Sequence, residues 1–232
     1  MEHKRSGVLV AWLVPALTLL FHLASHQGYG YFRDELYYLA NGRHLAFGYV
    51  DHPPLVGLIA ALVMNTIGSS LFAIRLLPAV AAAATVYVSG RLAREMGGAT
   101  FGVVAAQLSA ALVPAFLALF GFFSMNAFDI LIWGILWWIA ARYLRTRDER
   151  LWLAFGIVAG VGLQNKISVL FAGFGIVVGL LAAGPREAFR RRWLWAGGGI
   201  AALIFLPHLL WQAANGWPTI EFIRNATATK NV

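Results

Sequence analysis

The sequence contains no cysteine, and only 12% of its 232 residues are charged. The absence of thiols excludes disulfides, thiolate metal sites and a cysteine nucleophile. Soluble domains carry roughly 25% charged residues, so the shortage of charge argues against a soluble protein. What the chain has instead is apolar sequence, with 60% hydrophobic residues and a mean hydropathy of +0.70. Because its apolar runs repeatedly approach the ~20 residues that one spanning helix needs, we predict an all-α integral membrane protein.

Acidic residues are also few, and the formal net charge is +8. The basic residues fall into short clusters between the apolar runs: Lys4 and Arg5; Arg91 and Arg94; Arg142, Arg145, Arg147 and Arg150; and Arg186, Arg190, Arg191 and Arg192. The positive-inside rule explains these clusters as cytoplasmic loops. No basic surface is then left over for a nucleic acid partner. Motifs for nucleotide phosphates, dinucleotides or zinc are absent from the sequence as well.

The apolar segments between these clusters set the topology. They lie at about 8–24, 54–67, 70–90, 99–119, 127–143, 151–165, 167–183 and 194–214. If every segment crossed the membrane, the three later basic clusters would face outward, so one early segment must not cross. The 54–67 segment would make a helix of only about 20 Å, against a hydrocarbon core of ~30 Å.

We therefore predict about seven transmembrane helices in a single domain, residues 1–232, with a cytoplasmic N-terminus. The first outer loop, at 25–69, should carry two helices that lie along the membrane surface, at about 35–47 and 54–67. The first of these is amphipathic, as interfacial helices are. The polar residues with candidate functions gather on this outer side of the protein.

Asp34, Glu35, Asp51 and His52 are the candidate functional residues of the outer loop. Asp34 and Glu35 open the first surface helix, where a carboxylate serves either as an N-cap and first-turn residue or as a general base. Asp51 and His52 precede two prolines that stiffen the turn before the second helix. His52 is there either a solvated loop residue or a donor to phosphate.

Four further candidates lie at the outer ends of the later segments: Arg75, Asn126, Asp129 and Lys166. Lys166 interrupts an apolar stretch on the side where topology does not need a cation, so it either reaches the lipid headgroups or binds an anion. Arg75 has the same two readings. Asn126 and Asp129 have the spacing of a capping box, and the alternative is that they bind sugar hydroxyls.

Two pairs of glycines have the small-xxx-small spacing that lets transmembrane helices approach closely. They are Gly156 with Gly160, and Gly175 with Gly179. We expect both pairs to lie at helix packing contacts.

Several short motifs, taken together, resemble bacterial members of glycosyltransferase family 39. This family includes dolichyl-phosphate-mannose protein mannosyltransferases and the lipid A aminoarabinose transferase. The resemblance runs from the first helix to the last residues, and the Asp-Glu pair and the His-Pro-Pro turn are its most specific parts. The motifs are Arg33-Asp34-Glu35-Leu36-Tyr37-Tyr38, Gly48-Tyr49-Val50-Asp51-His52-Pro53-Pro54, Phe122-Phe123-Ser124-Met125-Asn126, Gln164-Asn165-Lys166 and Gly216-Trp217-Pro218-Thr219.

The resemblance implies the GT-C fold and a location in the bacterial plasma membrane. It implies transfer of a sugar from a polyprenyl-phosphate donor to a protein, lipid or glycan acceptor at the outer face, without a metal or cofactor. Asp34 would be the catalytic carboxylate beside Glu35, while His52, where aminoarabinose transferases have lysine, and Lys166 would hold the phosphate. Family members continue through further membrane helices, which implies that these residues are an N-terminal part. The alternative function is a transporter or lipid flippase, although such proteins place polar residues near the bilayer midplane.

Overall fold

The computed structural model describes residues 2–25 and 28–230, and these residues form α-helices without any β-strand. The helices are α1 (Glu2–Ser25), α2 (Arg33–Arg43), α3 (Leu55–Thr66), α4 (Leu71–Glu95), α5 (Thr100–Leu112), α6 (Pro114–Phe120), α7 (Met125–Thr146), α8 (Leu151–Asn165), α9 (Val169–Ala182), α10 (Arg192–Ala214) and α11 (Pro218–Lys230). A short 3₁₀ helix, Arg186–Arg190, precedes α10. The predicted all-α membrane fold class is confirmed.

Three of the described helices, α4, α7 and α10, are long and apolar enough to cross a membrane. Helices α5 and α6 together would make a fourth span, but a bend of 61° separates them. The bend lies at Val113, which is extended because the ring of the following Pro114 disfavours helical geometry in the residue before it. The apolar segment predicted at 99–119 is therefore two helices, and its crossing of the membrane stays a prediction.

The other apolar helices are shorter. Helix α8, for example, is 15 residues long, or about 22 Å. The described apolar parts of α1 and α9 are of similar length. Of the first basic cluster, Lys4 and Arg5, only the helical backbone is described. The count of seven crossings requires these three helices to span the bilayer together with α4, α7, α10 and the bent pair α5–α6, and it stays a prediction.

Two short helices lie where the sequence predicts helices in the first loop. Helix α3 matches its predicted bounds within one residue at each end, whereas α2 ends at Arg43, four residues before the predicted end. The Tyr49 hydroxyl explains the early end, since it lies 2.8 Å from the carbonyl oxygen of Asn41 and 3.2 Å from that of His44. It thereby offers a donor to carbonyls that a longer helix would have paired internally.

The long helices α4 and α7 define two ends of the molecule. At the first, which we call the loop end, residues 28–54 pack on the starts of α4 and α7 around Tyr38, Val56, Ile74 and Phe123. At the other, which we call the arginine end, Arg145 of α7 pairs with Glu95 of α4. The candidate site residues from the sequence all lie toward the loop end.

The two glycine pairs behave differently. A Cβ on Gly156 would collide with the backbone carbonyl of Gly197, and one on Gly160 would meet Ile204, so this pair brings α8 and α10 into close contact as predicted. A Cβ on Gly175 or Gly179 would meet nothing within 4 Å. The prediction that this second pair lies at a helix packing contact is therefore wrong for the described residues.

Candidate functional site

The centre of the loop end is a buried ion pair between Glu35 of α2 and Arg75 of α4. The Arg75 Nε lies 2.8 Å from Glu35 Oε1, and Nη2 lies 2.7 Å from Oε2. The side chains are 0% and 2% exposed. Such a two-point contact between a guanidinium and a carboxylate fixes orientation as well as charge.

Backbone groups complete this ion pair. The Glu35 carboxylate also accepts hydrogen bonds from the backbone N–H groups of Phe32 and Phe123, both at 2.8 Å. The Arg75 guanidinium donates to the carbonyl oxygens of Tyr29, at 3.0 Å, and Gly30, at 2.7 Å. The pair therefore joins α2, α4, the segment before α2 and the segment before α7.

The sequence-based roles of these two residues, Glu35 beside the catalytic Asp34 and Arg75 at either lipid headgroups or an anion, stay predictions. Both are enclosed by protein partners, and the Glu35 carboxylate has no exposed surface. Their contacts are those of residues that hold the site together.

Asp34 is the neighbour of Glu35 but has a very different environment. Phe32 is the N-cap of α2, so Asp34 lies in the first turn and is not the cap residue that one reading of the sequence suggested. Its side chain is 36% exposed, and Oδ1 lies 3.2 Å from Nε of the exposed Arg33. Asp34 is therefore a carboxylate that solvent or a substrate can reach.

His52 is buried, at 1% exposure, with both ring nitrogens in hydrogen bonds. Nδ1 lies 2.7 Å from the carbonyl oxygen of Pro53, which can only accept, and Nε2 lies 3.0 Å from the amide nitrogen of Asn41. These partners fit a neutral ring that donates from Nδ1 and accepts at Nε2. Burial lowers the pKa of His52, against the opposing effects of the Pro53 hydrogen bond and Asp51. The reading of His52 as a solvated loop residue is therefore wrong, and its contact with a phosphate stays a prediction.

Three tyrosines and Asp51 surround His52. The rings of Tyr37, Tyr38 and Tyr49 have their centroids 5.6, 5.3 and 4.8 Å from that of the imidazole. The Tyr37 hydroxyl donates to Asp51 Oδ1 at 2.6 Å. Burial, with the help of this hydrogen bond, raises the pKa of Tyr37 to about 12. Tyr37 is therefore a hydrogen-bond donor to Asp51 at every physiological pH.

Lys166 joins α8 and α9 to the start of α7. Its Nζ donates to Asn126 Oδ1 at 2.8 Å and lies 3.8 Å from Asp129 Oδ2, and its side chain remains 34% exposed. The Asp129 carboxylate also accepts from the Ser168 hydroxyl, at 2.9 and 3.0 Å. Ser124 is the N-cap of α7, so the capping-box reading of Asn126 and Asp129 is wrong. The two residues hold a lysine instead.

Tyr38, which the sequence analysis missed, connects Asp34 with this lysine cluster. Burial raises the pKa of its hydroxyl, the Asp34 and Asp51 carboxylates raise it further, and a hydrogen bond with the Met125 backbone opposes them. Met125 is the neighbour of Asn126, and its carbonyl accepts from the Asn165 amide at 2.8 Å. The Tyr38 hydroxyl therefore lies near Asp34, Asp51 and the start of α7. Its position three residues after Glu35, on the same helix face, is the signal that could have identified Tyr38.

The charged groups of this site do not form a metal-binding cluster. Among the described residues, no group of three or more histidine, aspartate or glutamate side chains could hold a metal ion. The site instead offers an exposed carboxylate at Asp34, a partly exposed ammonium at Lys166 and a set of hydroxyl and amide groups between them. This combination suits a substrate that carries both hydroxyls and a negative charge.

Comparison with known proteins identifies a family for most of the chain. The model of the family described as dolichyl-phosphate-mannose-protein mannosyltransferase matches residues 51–211. The match contains six of the candidate residues, Asp51, His52, Arg75, Asn126, Asp129 and Lys166, and begins after Asp34 and Glu35. No curated protein and no solved structure matches significantly. The matched part exceeds two thirds of the sequence, and the chain therefore belongs to this family of membrane glycosyltransferases.

Proposed function

We propose that this chain carries the catalytic carboxylate and part of the donor site of a glycosyltransferase in the bacterial plasma membrane. The donor is a sugar linked through phosphate to a polyprenol, and the acceptor is a hydroxyl of a protein, lipid or glycan at the outer face. The reaction is a single displacement that inverts the anomeric carbon. Family membership supports the reaction class, and the contacts of the loop end support the roles of individual residues.

The observation that carries the proposal is the difference in environment between the adjacent acids Asp34, which is partly exposed, and Glu35, which is buried. Glu35 accepts two hydrogen bonds from Arg75 and two from the backbone, so no lone pair is free for a substrate proton. Asp34 lies on the same helix, its side chain is 36% exposed, and its Oδ1 contacts only the exposed side chain of Arg33 among the ion pairs of the described residues. The buried Glu35 thus holds α2 in place, and the exposed Asp34 on the same helix acts on the substrate.

Lys166 is the group best placed to stabilise the leaving phosphate. Its ammonium has three N–H donors, and the contact with Asn126 uses one of them. The others can reach an anion, because a third of the side chain is exposed. Fixed cations stabilise a developing charge strongly where water is largely excluded. Asp129 and Asn126 hold this cation and can also receive hydrogen bonds from the sugar.

The proposed step balances as follows. The Asp34 carboxylate removes the proton of the acceptor hydroxyl while that oxygen bonds to the anomeric carbon from the face opposite the phosphate. The bond between the anomeric carbon and the phosphate oxygen breaks, and its electron pair stays on the phosphate beside Lys166. General-base catalysis of this kind contributes roughly 10²- to 10⁴-fold to the rate. The step needs no metal or cofactor, so we expect transfer to continue in the presence of EDTA.

The substitution Asp34→Asn tests this assignment. It keeps the shape of the side chain but removes the base, so we expect transfer from polyprenyl-phosphate mannose in membranes to fall by about 10²-fold or more. The matched control is Asp148→Asn, since Asp148 is also exposed and lies in the turn just before α8, at the arginine end. Equal transfer by the Asp34→Asn protein and the unchanged protein, at equal amounts in the membrane, would refute the role of Asp34.

A further inference from the structure

A second candidate site lies at the arginine end, away from the proposed catalytic groups. It begins as an apolar groove with a volume of about 410 Å³, bounded by the ends of α4, α7 and α9 and the start of α8. Its walls include Trp137, Tyr143, Leu144, Trp152, Ile176 and Leu180. Because α4 and α7 are long enough to cross the bilayer, a groove beside their ends is within reach of lipid chains.

The glycines of α9 give this groove its depth. Gly175 and Gly179 line it, and a Cβ on either would enter open space. Gly175 and Gly179 are one helical turn apart, and together they leave a channel along α9. No described helix fills this channel. The groove along these glycines continues into a charged cavity.

The charged cavity has a volume of about 510 Å³ and shares three lining residues, Tyr143, Ala183 and Gly184, with the groove. The side chains that charge it are Arg147, Glu149, Glu187 and Arg191. An apolar channel thus opens directly into a polar cavity. That sequence of environments matches a molecule with a hydrocarbon tail and a charged head.

The charges of this end favour a negative head. Arg191 Nε lies 3.0 Å from Glu149 Oε1, so these two neutralise each other. The cavity keeps one further charge of each sign, Arg147 and Glu187, so the excess of positive charge comes from the segments around it. The surrounding segments, 142–150 and 186–192, carry eight arginines against three acids, Asp148, Glu149 and Glu187. Basic pockets beside transmembrane helices bind anionic lipid headgroups.

We propose that the arginine end binds one anionic phospholipid. One acyl chain lies in the groove over Gly175 and Gly179, and the phosphate lies in the charged cavity against Arg147. The left-handed conformation of Arg147, with a φ of 59°, ends α7 and starts the turn from which its side chain extends. Its backbone N–H bonds to the Tyr143 carbonyl at 2.8 Å, so a substitution of the side chain leaves the helix end intact.

Native mass spectrometry of the purified chain in detergent tests the proposal. The probes are dioleoyl phosphatidylglycerol, dioleoyl phosphatidylcholine and inorganic phosphate. We expect one phosphatidylglycerol to be retained in preference to phosphatidylcholine, and millimolar phosphate to leave it bound. Arg147→Gln should weaken retention about ten-fold, since it removes a charge-assisted contact with the phosphate. Gly179→Leu fills the groove and should have a similar effect.

Two matched controls separate this site from general contact with membrane lipid. Arg150→Gln removes an exposed arginine at the same end that lines neither cavity. Gly173→Leu adds the same side chain to α9 at a glycine that also faces open space but lies outside the groove. Both should retain the lipid within two-fold of the unchanged chain.

Three results would overturn the proposal. The first is equal retention of the two phospholipids, and the second is an equal loss in the paired variants and controls. The third is displacement of the lipid by phosphate alone, which would make the cavity a site for free phosphate. If Gly179→Leu fails to purify as a folded protein, Gly175→Leu tests the same groove.

Discussion

An ion pair lies near each end of α4, and the two pairs differ in their exposure to solvent. Near its start, Arg75 meets Glu35, and both side chains are excluded from solvent. At its last residue, Glu95 is also buried, with a side chain 4% exposed, but its partner Arg145 is 56% exposed. Both pairs are direct contacts between a carboxylate and a guanidinium, so the difference is one of enclosure.

The burial of each ion pair determines how much the free energy of unfolding falls when one partner is removed. Removing one partner of a buried pair leaves a charge that water cannot solvate, which costs far more than the pair itself contributes. At the loop end the backbone adds to this cost, because Phe123 and Gly30 would also lose partners. At the arginine end water can replace the lost carboxylate beside Arg145. The loop end is therefore the rigid end of the molecule.

The largest expected effect comes from Glu35→Gln. It leaves the Arg75 charge buried without a counter-ion, so we expect the free energy of unfolding to fall by about 3–5 kcal/mol. Glu95→Gln is the matched change at the other end and should cost less than about 1 kcal/mol, since its partner is half exposed. Thermal unfolding in detergent, followed by size-exclusion chromatography, measures both.

Equal losses in these two variants would remove the distinction between the ends. Equal losses would mean that Arg145 needs its carboxylate partner for stability as much as Arg75 does. A double variant, Glu35→Gln with Arg75→Met, sharpens the comparison further. It should recover part of the loss, because it removes the unpaired charge and keeps the volume of the side chain.

The next effect concerns His52. His52→Phe keeps a ring among the three tyrosines but leaves the amide of Asn41 without its acceptor, so we expect a cost of about 1–3 kcal/mol. His52→Gln can replace one of the two hydrogen bonds and should cost less. Thermal unfolding at pH 8 measures both variants, and a stabilised His52→Phe protein would contradict the assignment.

The buried imidazole also makes the loop end sensitive to acid. The folded pKa of His52 lies below its value in the unfolded chain, so the unfolded chain binds more protons between the two values. The contribution of neutral His52 to stability is complete above about pH 6.5 and is lost as the pH falls toward the folded pKa. The unchanged protein should therefore lose more stability between pH 7.5 and pH 5 than the His52→Phe variant, and equal losses would contradict this.

The smallest expected effects on stability come from removing one polar contact at each end of the molecule. Tyr49→Phe removes the hydroxyl that lies against the last carbonyls of α2, which should cost about 0.5–1.5 kcal/mol. Glu149→Gln removes the partner of the exposed Arg191 and should cost less than about 1 kcal/mol. Hydrogen exchange of the α2 amides should increase in the first variant only.

Much of the fold is predictable because hydropathy and helix length are local properties. The bounds of α3, α8, α9 and α10 lie within two residues of those read from the sequence. The break at Pro114 was missed although a proline marks it, because the apolar pattern continues unchanged on both sides. The end of α2 depends on Tyr49, a side chain six residues later, which no helix-end pattern contains.

The candidate site was predictable in composition but not in the roles of its members. Sequence places Asp34 and Glu35 side by side, whereas the partner that distinguishes them, Arg75, lies 40 residues away. The helix face gave a partial signal, since Glu35 and Leu39 are one turn apart on the buried side of α2, whereas Asp34 is not among the buried residues of the helix. His52 looked available in the sequence, and its enclosure follows only from the packing of three tyrosines.

The contact between α8 and α10 has a consequence for the whole molecule. At Gly197 the two helices touch backbone to backbone, and 11 residues later, about 16 Å along the axis of α10, His208 Nδ1 binds the Phe47 carbonyl at 3.0 Å. Helix α10 thus links its contact with α8 to the segment that follows α2. A methyl group added at Gly156 would force α10 away from α8 and displace His208 relative to the Phe47 carbonyl, so a change remote from Asp34 would alter the segment just after the helix that carries it.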